Sequence, residues 1–162
     1  MNIYVYLQGG IGNQMFQYAK GLSVLQEHPQ VDKLLLDTSS YRGQERGVVK
    51  GGLTGRTFDL DVFNISQDTQ SNSSAGDPIL FGYFQNLKEF ANVEEQIRKE
   101  FTFSIDFSDQ TKEMDKHINK NHTSVSIHVR RGDYITNHTA NSHHGVMGLE
   151  YFNKAMSIVE SE

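Results

Sequence analysis

Residues 2–22, "NIYVYLQGGIGNQMFQYAKGL", decide how the chain is to be read. Ile3 to Leu7 form a short apolar, β-rich run that ends in Gln8-Gly9-Gly10-Ile11-Gly12. Beyond the glycines, Met15, Phe16, Ala19 and Leu22 recur at helical spacing. The order is strand, glycine turn, helix. Leu34-Leu35-Leu36-Asp37 then supplies a second run short enough to be a buried strand, with an acid at its carboxyl end. Together these segments have the proportions of a βαβ unit, which predicts an α/β fold on a parallel sheet.

Working outward, residues 39–56 scatter glycines at 43, 47, 51, 52 and 55 among charges, with no sustained period, and read as an exposed loop. "QDTQSNSSAGD", 67–77, reads as a polar connector with too little apolar surface to pack. A strand is expected over Ile79–Phe84. Asn86 with Glu89 makes the N-cap and capping box of a helix whose buried face is Phe90, Val93, Ile97 and Phe101. Residues 106–122 are polar with room for a short helix; Ser124–Val129 alternates as a strand; Leu149–Val159 carries Phe152, Ala155, Met156 and Val159 at helical spacing. These elements divide into a first domain over 1–105 and the start of a second over 123–162, incomplete because one strand and one helix do not enclose a core.

The chain has 162 residues, 36% of them hydrophobic, which suits one α/β domain and part of another. A net charge of −5 gives no global attraction to nucleic acid or anionic lipid, so any anion site must be local. There are no cysteines, which excludes thiolate metal sites and cysteine nucleophiles. The first residues lack the pattern of a secretory signal, making the cytoplasm the expected location. Sequons at Asn64, Asn72, Asn121 and Asn137 are given no weight for the same reason. His138, His143 and His144 are read as solvated loop histidines in preference to a zinc site.

Two stretches carry chemistry. Gly10, Gly12, Asn13 and Gln14 stand outside the carboxyl end of a strand and at a helix N-terminus, where open α/β sheets bind ligands. As a dinucleotide fingerprint the loop is defective, because Met15 fills the third glycine slot, although Asp37 stands where a ribose-binding acid would. Asn13 and Gln14 bring amides suited to hydroxyl-rich ligands or a phosphate. The other stretch is "SIHVRRGDY", 126–134. Arginine presents a planar fork of donors that grips two phosphate oxygens, and Arg130 and Arg131 can both reach one ligand only if the strand ends near Val129 and the chain turns at Gly132. Asp133 either orients a guanidinium or takes a proton from a hydroxyl, and His128, at the strand parity of Arg130, could serve in either role. The plain alternative is a surface salt-bridge cluster. An adhesion tripeptide at Arg131-Gly132-Asp133 would need export and an exposed loop tip.

Taken together, "LQGGIGNQMFQYAKG", "FGYFQNLKEF", "IRKEFTF", "SVSIHVRRGDY" and "HGVMGLEYFNKAM" resemble the N-terminal part of the glycosyltransferase family 11 α-1,2-fucosyltransferases. The resemblance implies a GT-B-like, Rossmann-type architecture, with 1–105 as the acceptor-side domain and 123–162 as the incomplete start of the GDP-fucose-binding domain. It also implies a metal-independent, inverting transfer of L-fucose from GDP-fucose to the 2-hydroxyl of a galactoside, with no cofactor. His128, Arg130, Arg131, Gly132 and Asp133 match the family's His-x-Arg-Arg-Gly-Asp motif, whose arginine side is implicated in holding the GDP phosphates. Gly10, Gly12, Asn13 and Gln14 match its glycine-asparagine-glutamine loop, which in related fucosyltransferases faces the same cleft from the other domain. The resemblance therefore assigns catalytic roles to Arg130, Asp133 and His128, and GDP-fucose contacts to Arg130, Arg131, Gly132, Gly10, Gly12, Asn13 and Gln14. Met147 departs from the small residue or cysteine of many relatives, and the family's later motifs are not met before Glu162, so the chain is expected to be a fragment or a shortened member. Two other functions remain open at this point: a homologue that binds nucleotide or glycan without turnover, and a dinucleotide-dependent oxidoreductase. Contact with the inner membrane face is expected only if the acceptor is lipid-linked.

Overall fold

The computed structural model describes residues 1–50, 53–70, 73, 76–120 and 123–161. The sequons at Asn72 and Asn121, and the loop glycines 51 and 52, lie outside the described residues. The chain divides into two compact units, one of 1–46 with 56–107, the other of 47–55 with 108–161.

The first unit is built on the predicted βαβ. Strand β1 (Asn2–Tyr6) leads through the glycine turn into helix α1 (Ile11–Glu27) and on to β2 (Lys33–Asp37), which pairs parallel with β1. The register places Ile3 opposite Leu34 and Val5 opposite Leu36. These four side chains pack against Tyr18, Ala19 and Leu22 of α1, with Leu60, Phe63, Phe90 and Val93 completing the core. The helix lies so close to the sheet that a Cβ on Gly21 would come within 2.7 Å of Val5 Cγ2 and 2.8 Å of a Leu34 methyl. Only glycine admits that approach.

Two further strands, β5 (Asp68–Gln70) and β6 (Ile79–Leu80), widen the sheet to the order β5-β2-β1-β6, parallel throughout. Strand β5 (Asp68–Gln70) falls within the stretch expected to be a connector. Its side chains are all exposed, so it is held by the hydrogen-bonding edge of β2 and not by apolar burial. The expected strand over Ile79–Phe84 is limited to β6 (Ile79–Leu80), because the backbone takes positive φ at Gly82 (153°) and at Phe84 (49°). Asn86 caps the next helical segment as expected, accepting from the Lys88 N–H at 3.2 Å. That segment is a 3₁₀ stretch over Leu87–Val93, kinked at Phe90, followed by α2 (Glu94–Glu100). Phe90 and Val93 are buried, with Ile97 and Phe101 packed beside them.

The second unit holds a hairpin, β3 (Val49–Lys50) antiparallel to β4 (Leu53–Thr54), inside the span expected to be loop. Apolar residues on either side of two glycines are the short-range signal for such a hairpin. Helices α3 (Asp109–Lys120), α4 (Gly132–Thr136), α5 (His138–His144) and α6 (Leu149–Glu160) follow. The expected strand over Ser124–Val129 does not form. Val125, Ile127 and Val129 alternate as a strand would, yet each is exposed and no ladder joins them to another strand among the described residues. Alternation sets which side chains share a face; a strand also requires an edge to pair with. His138, His143 and His144, expected in a loop, lie on α5, whose N-cap Asn137 accepts from the N–H groups of Thr139 and Ala140. The α6 face of Phe152, Ala155, Met156 and Val159 is not buried, and no hydrophobic side chain is buried among the described residues of 108–161.

Candidate functional site

The carboxyl ends of β1, β2 and β6 carry the first cluster of interest, all within the first unit. Gly9 turns the chain with φ +79°, and a Cβ there would strike Asn13 Nδ2 at 2.4 Å. Gly9 is therefore the glycine the turn requires, although the spacing of Gly10 and Gly12 had drawn attention to those two. A Cβ added at either of them would meet nothing within 4 Å. Their missing side chains leave the first turn of α1 uncovered, where Gly10 supplies no side-chain cap. The first N–H groups of a helix have no intrahelical partner, so this end offers donors to a ligand.

Gln14, expected to touch the ligand, is fully buried. Its Nε2 donates to Gly9 O (3.1 Å) and Thr57 O (2.8 Å), and its Oε1 accepts from the Asp59 N–H (2.9 Å). The amide is thus engaged in tying the glycine turn to the 57–59 segment. Gln17, one turn along, is equally buried: it accepts from the Gln8 N–H (3.0 Å) and donates to Gly82 O (3.1 Å). Asn13 remains partly exposed and accepts from Gln85 Nε2 at 2.8 Å. Around this loop stand Tyr41, whose hydroxyl donates to Gly9 O (3.3 Å), and an Arg46–Asp59 ion pair. Burial pushes the Tyr41 hydroxyl well above the ordinary phenol range, and nearby Asp59, Tyr6 and Tyr83 add to the effect. Tyr41 is therefore a neutral hydroxyl at physiological pH.

Asp37 closes the oxidoreductase reading. It is 3% exposed, with Oδ1 accepting from the Ser39 N–H (2.8 Å) and Oδ2 from the Ser73 N–H (3.1 Å). Burial acts to raise its pKa, but the hydrogen bonds from Ser39 and Ser73 outweigh it and hold the carboxyl below its ordinary value. Both oxygens serve the chain's own backbone, and at this burial a ribose does not reach the acceptor capacity they keep. A groove of about 560 Å³ lined by Leu87, Phe90, Ala91, Ile97 and Phe101 lies elsewhere on this unit. Its charged groups, Glu94 and Arg98, pair with each other at 2.8 Å, so it brings no phosphate chemistry.

The arginine motif belongs to the second unit. The chain turns at Gly132 (φ +37°), as the paired arginines required, and enters α4. Asp133 accepts from Arg130 at 3.0 Å, and the Arg130 guanidinium lies 4.6 Å from the centre of the Tyr134 ring. A carboxylate on one edge and an aromatic face on the other hold the fork in place without enclosing it. Tyr134 in turn stacks on His144, with ring centres 4.7 Å apart and planes 3° from parallel. Sequence reading missed Tyr134 and took His144 for a loop residue with no partner; the signal was an aromatic four residues from Arg130, visible only once residues 132–136 were known to coil. Arg131 and His128 are exposed. The strand parity that linked His128 to Arg130 has no strand to carry it.

Among the described residues no helix is long and apolar enough to cross a membrane, and no group of three or more His, Asp or Glu side chains could hold a metal ion. No solved structure matches the chain. Two proteins of Escherichia coli do: "O-antigen biosynthesis glycosyltransferase WbnK", 27% identical over 98% of this chain and 68% of the relative, and "Alpha-1,2-colitosyltransferase", 28% identical over 90% of this chain and 60% of the relative. This chain thus spans roughly two thirds of the length of either relative. The family model for glycosyl transferase family 11 matches residues 63–161, which take in the aromatic stretch after β6 and the whole arginine motif. The chain, an α/β protein on a Rossmann-type parallel sheet, belongs to glycosyl transferase family 11.

Proposed function

We propose that the chain is part of an α-1,2-fucosyltransferase that moves L-fucose from GDP-fucose to the 2-hydroxyl of a galactose-containing glycan with inversion. A glycosyltransferase of this family joins a nucleotide-sugar donor to a glycan acceptor; the fucosyl donor and the galactoside acceptor are the finer part of the reading. The observation that carries it is the oriented Arg130, held by Asp133 and Tyr134 beside the Gly132 turn. As the bond from fucose to phosphate breaks, negative charge collects on the departing GDP while the sugar ring becomes oxocarbenium-like. A guanidinium fixed in advance stabilises that charge without reorganising at the moment of reaction. In this reading Arg130 and Arg131 hold the phosphates, Gly132 allows close approach, and Asp133 orients Arg130. His128 is proposed to assist at the acceptor hydroxyl. The name of the second relative supports the α-1,2 linkage and makes a colitose donor the competing sugar.

The test is incubation with GDP-fucose and a galactoside, with the product linkage read by NMR. An α-1,2-linked fucoside, absent with Arg130→Ala, is the expected result; a product of another linkage, or transfer unaffected by Arg130→Ala, overturns it. A second reading, nucleotide or glycan binding without turnover by these residues alone, is favoured by the absence of buried hydrophobic side chains among the described residues of 108–161. It predicts GDP binding with no product. A peripheral membrane contact at the cytoplasmic face remains a proposal tied to a lipid-linked acceptor.

A further inference from the structure

At the carboxyl edge of the sheet the first unit holds aromatic rings out into solvent. The last ladder pair between β1 and β6 is Val5 with Leu80, and one step beyond it the rings of Tyr6 and Phe81 meet with centres 5.3 Å apart. Phe81 is 70% exposed and Tyr83 is 48% exposed. The backbone that presents them is constrained in an unusual way. Gly82 has φ +153°, and a Cβ there would press on the Phe84 ring at 3.2 Å; Phe84 itself sits at φ +49°, a region a bulky side chain seldom occupies. Such strain persists only where neighbours over-determine it, and it gathers at ligand sites. Here the neighbours are amides: buried Gln17 holds Gly82 O, and Gln85 holds Asn13. The Phe84 carbonyl accepts from the Asn86 N–H at 2.8 Å.

The chemistry around these rings is neutral and hydrogen-bonding. Gln85 and Asn13 join through Nε2 and Oδ1, so the rest of the pair is a donor on Asn13 and an acceptor on Gln85. Tyr41 presents a phenol hydroxyl bonded to Gly9 O. Asp59, which lies near Tyr41, is paired with Arg46, and the Asp37 carboxylate across from Tyr6 is taken up by the N–H groups of Ser39 and Ser73. Aromatic faces beside uncharged amides suit a pyranose: the ring's C–H face is apolar and packs on a π surface, and its hydroxyls need partners that both donate and accept.

We propose that Phe81 and Tyr83 form a stacking platform for a pyranose ring, with Asn13 and Gln85 reading its hydroxyls, and that the sugar bound there is the terminal galactose of the acceptor glycan. The identity of that sugar rests on the transferase reading above; the platform itself rests on the exposed rings, the strained turn and the amide pair. A nucleobase would also stack on such rings, and the experiment separates the two.

Saturation-transfer NMR with lactose on the full chain, without nucleotide, tests the proposal. Wild type should pass saturation to the galactose ring protons. Phe81→Ala and Tyr83→Ala should each weaken lactose binding about tenfold, the loss of one stacking partner. Phe81→Tyr should restore binding, and GDP affinity should be unchanged in all three. Thermal unfolding confirms that each variant is folded, and Phe81→Tyr preserves the ring if either alanine variant is not. The proposal is overturned if folded wild type passes no saturation to lactose, if both alanine variants bind lactose as wild type does, or if they lose GDP instead. Lactose binding through Phe81 in a chain that ignores GDP would leave the platform standing and remove the donor reading. GDP binding through Arg130 without lactose binding would do the reverse.

Discussion

Gly9 and Gly12 are three positions apart and carry opposite demands. Gly9 needs its positive φ, and a methyl there meets Asn13. Gly12 lies in the first turn of α1 with open space where a methyl would go. Gly9→Ala should therefore cost about 1–2 kcal/mol, whereas Gly12→Ala should stabilise by about 0.5–1 kcal/mol, both read from urea unfolding. If Gly12→Ala also weakens ligand binding, the bare helix end is a ligand face. The buried Glu100 makes a second forecast. Burial alone would raise its pKa, but Tyr18, Gln96 and Ser66 all donate to its carboxylate and together lower it from 4.5. A carboxyl depressed in the folded state contributes stability that is fully present above the unfolded pKa and is lost as pH falls through the folded one. Stability should thus fall as pH drops below about 4.5, and Glu100→Gln should flatten that dependence while lowering stability at neutral pH. A urea midpoint for Glu100→Gln that follows pH as wild type does would show that the cluster is not the acid-sensitive one.

Among the elements, those that announce themselves in the sequence are those whose burial is one-sided and local. β1, α1 and β2 were legible because Val5, Leu22 and Leu36 fill one core at spacings that only a strand or a helix produces. β5 was not, since Asp68, Thr69 and Gln70 bury nothing and are held through the main chain of β2. The kink at Phe90 also escaped, because a capped apolar period says nothing about a residue at φ −146°. The stretch Ser124–Val129 shows the converse: it has the pattern of a strand without a partner. Its amides should exchange with deuterium with little protection, while those of β1 and β2 are protected. Within α5, Asn137→Ala should remove the cap, at a cost of about 1 kcal/mol, and raise exchange at Thr139 and Ala140. Protection over 124–129 equal to that of β1 would show that this segment is paired after all.

At the scale of the whole molecule, no hydrophobic side chain is buried among the described residues of 108–161, and the arginine motif lies there on an exposed segment that leads into α4. The glycine turn was legible from its place after a strand and before a helix. Half of what it does was not: Gln14, which looked like a ligand contact, is turned inward to hold the turn, and the aromatic edge at Phe81 and Tyr83 gave no sign in composition that its rings would face solvent. The arginine motif drew a phosphate reading from its residue types alone; the structure pairs Asp133 with Arg130, one of the two roles the sequence left open, and adds Tyr134 beside it. Calorimetric titration of GDP into wild type, Arg130→Ala and Arg130→Lys tests whether Arg130 grips the phosphates of GDP. Losing a charge-assisted hydrogen bond should weaken GDP binding about ten- to a hundredfold in the alanine variant, with lysine recovering only part because it lacks the planar fork. A folded wild-type chain that ignores GDP, or an Arg130→Ala variant that binds it as tightly as wild type, would contradict the account.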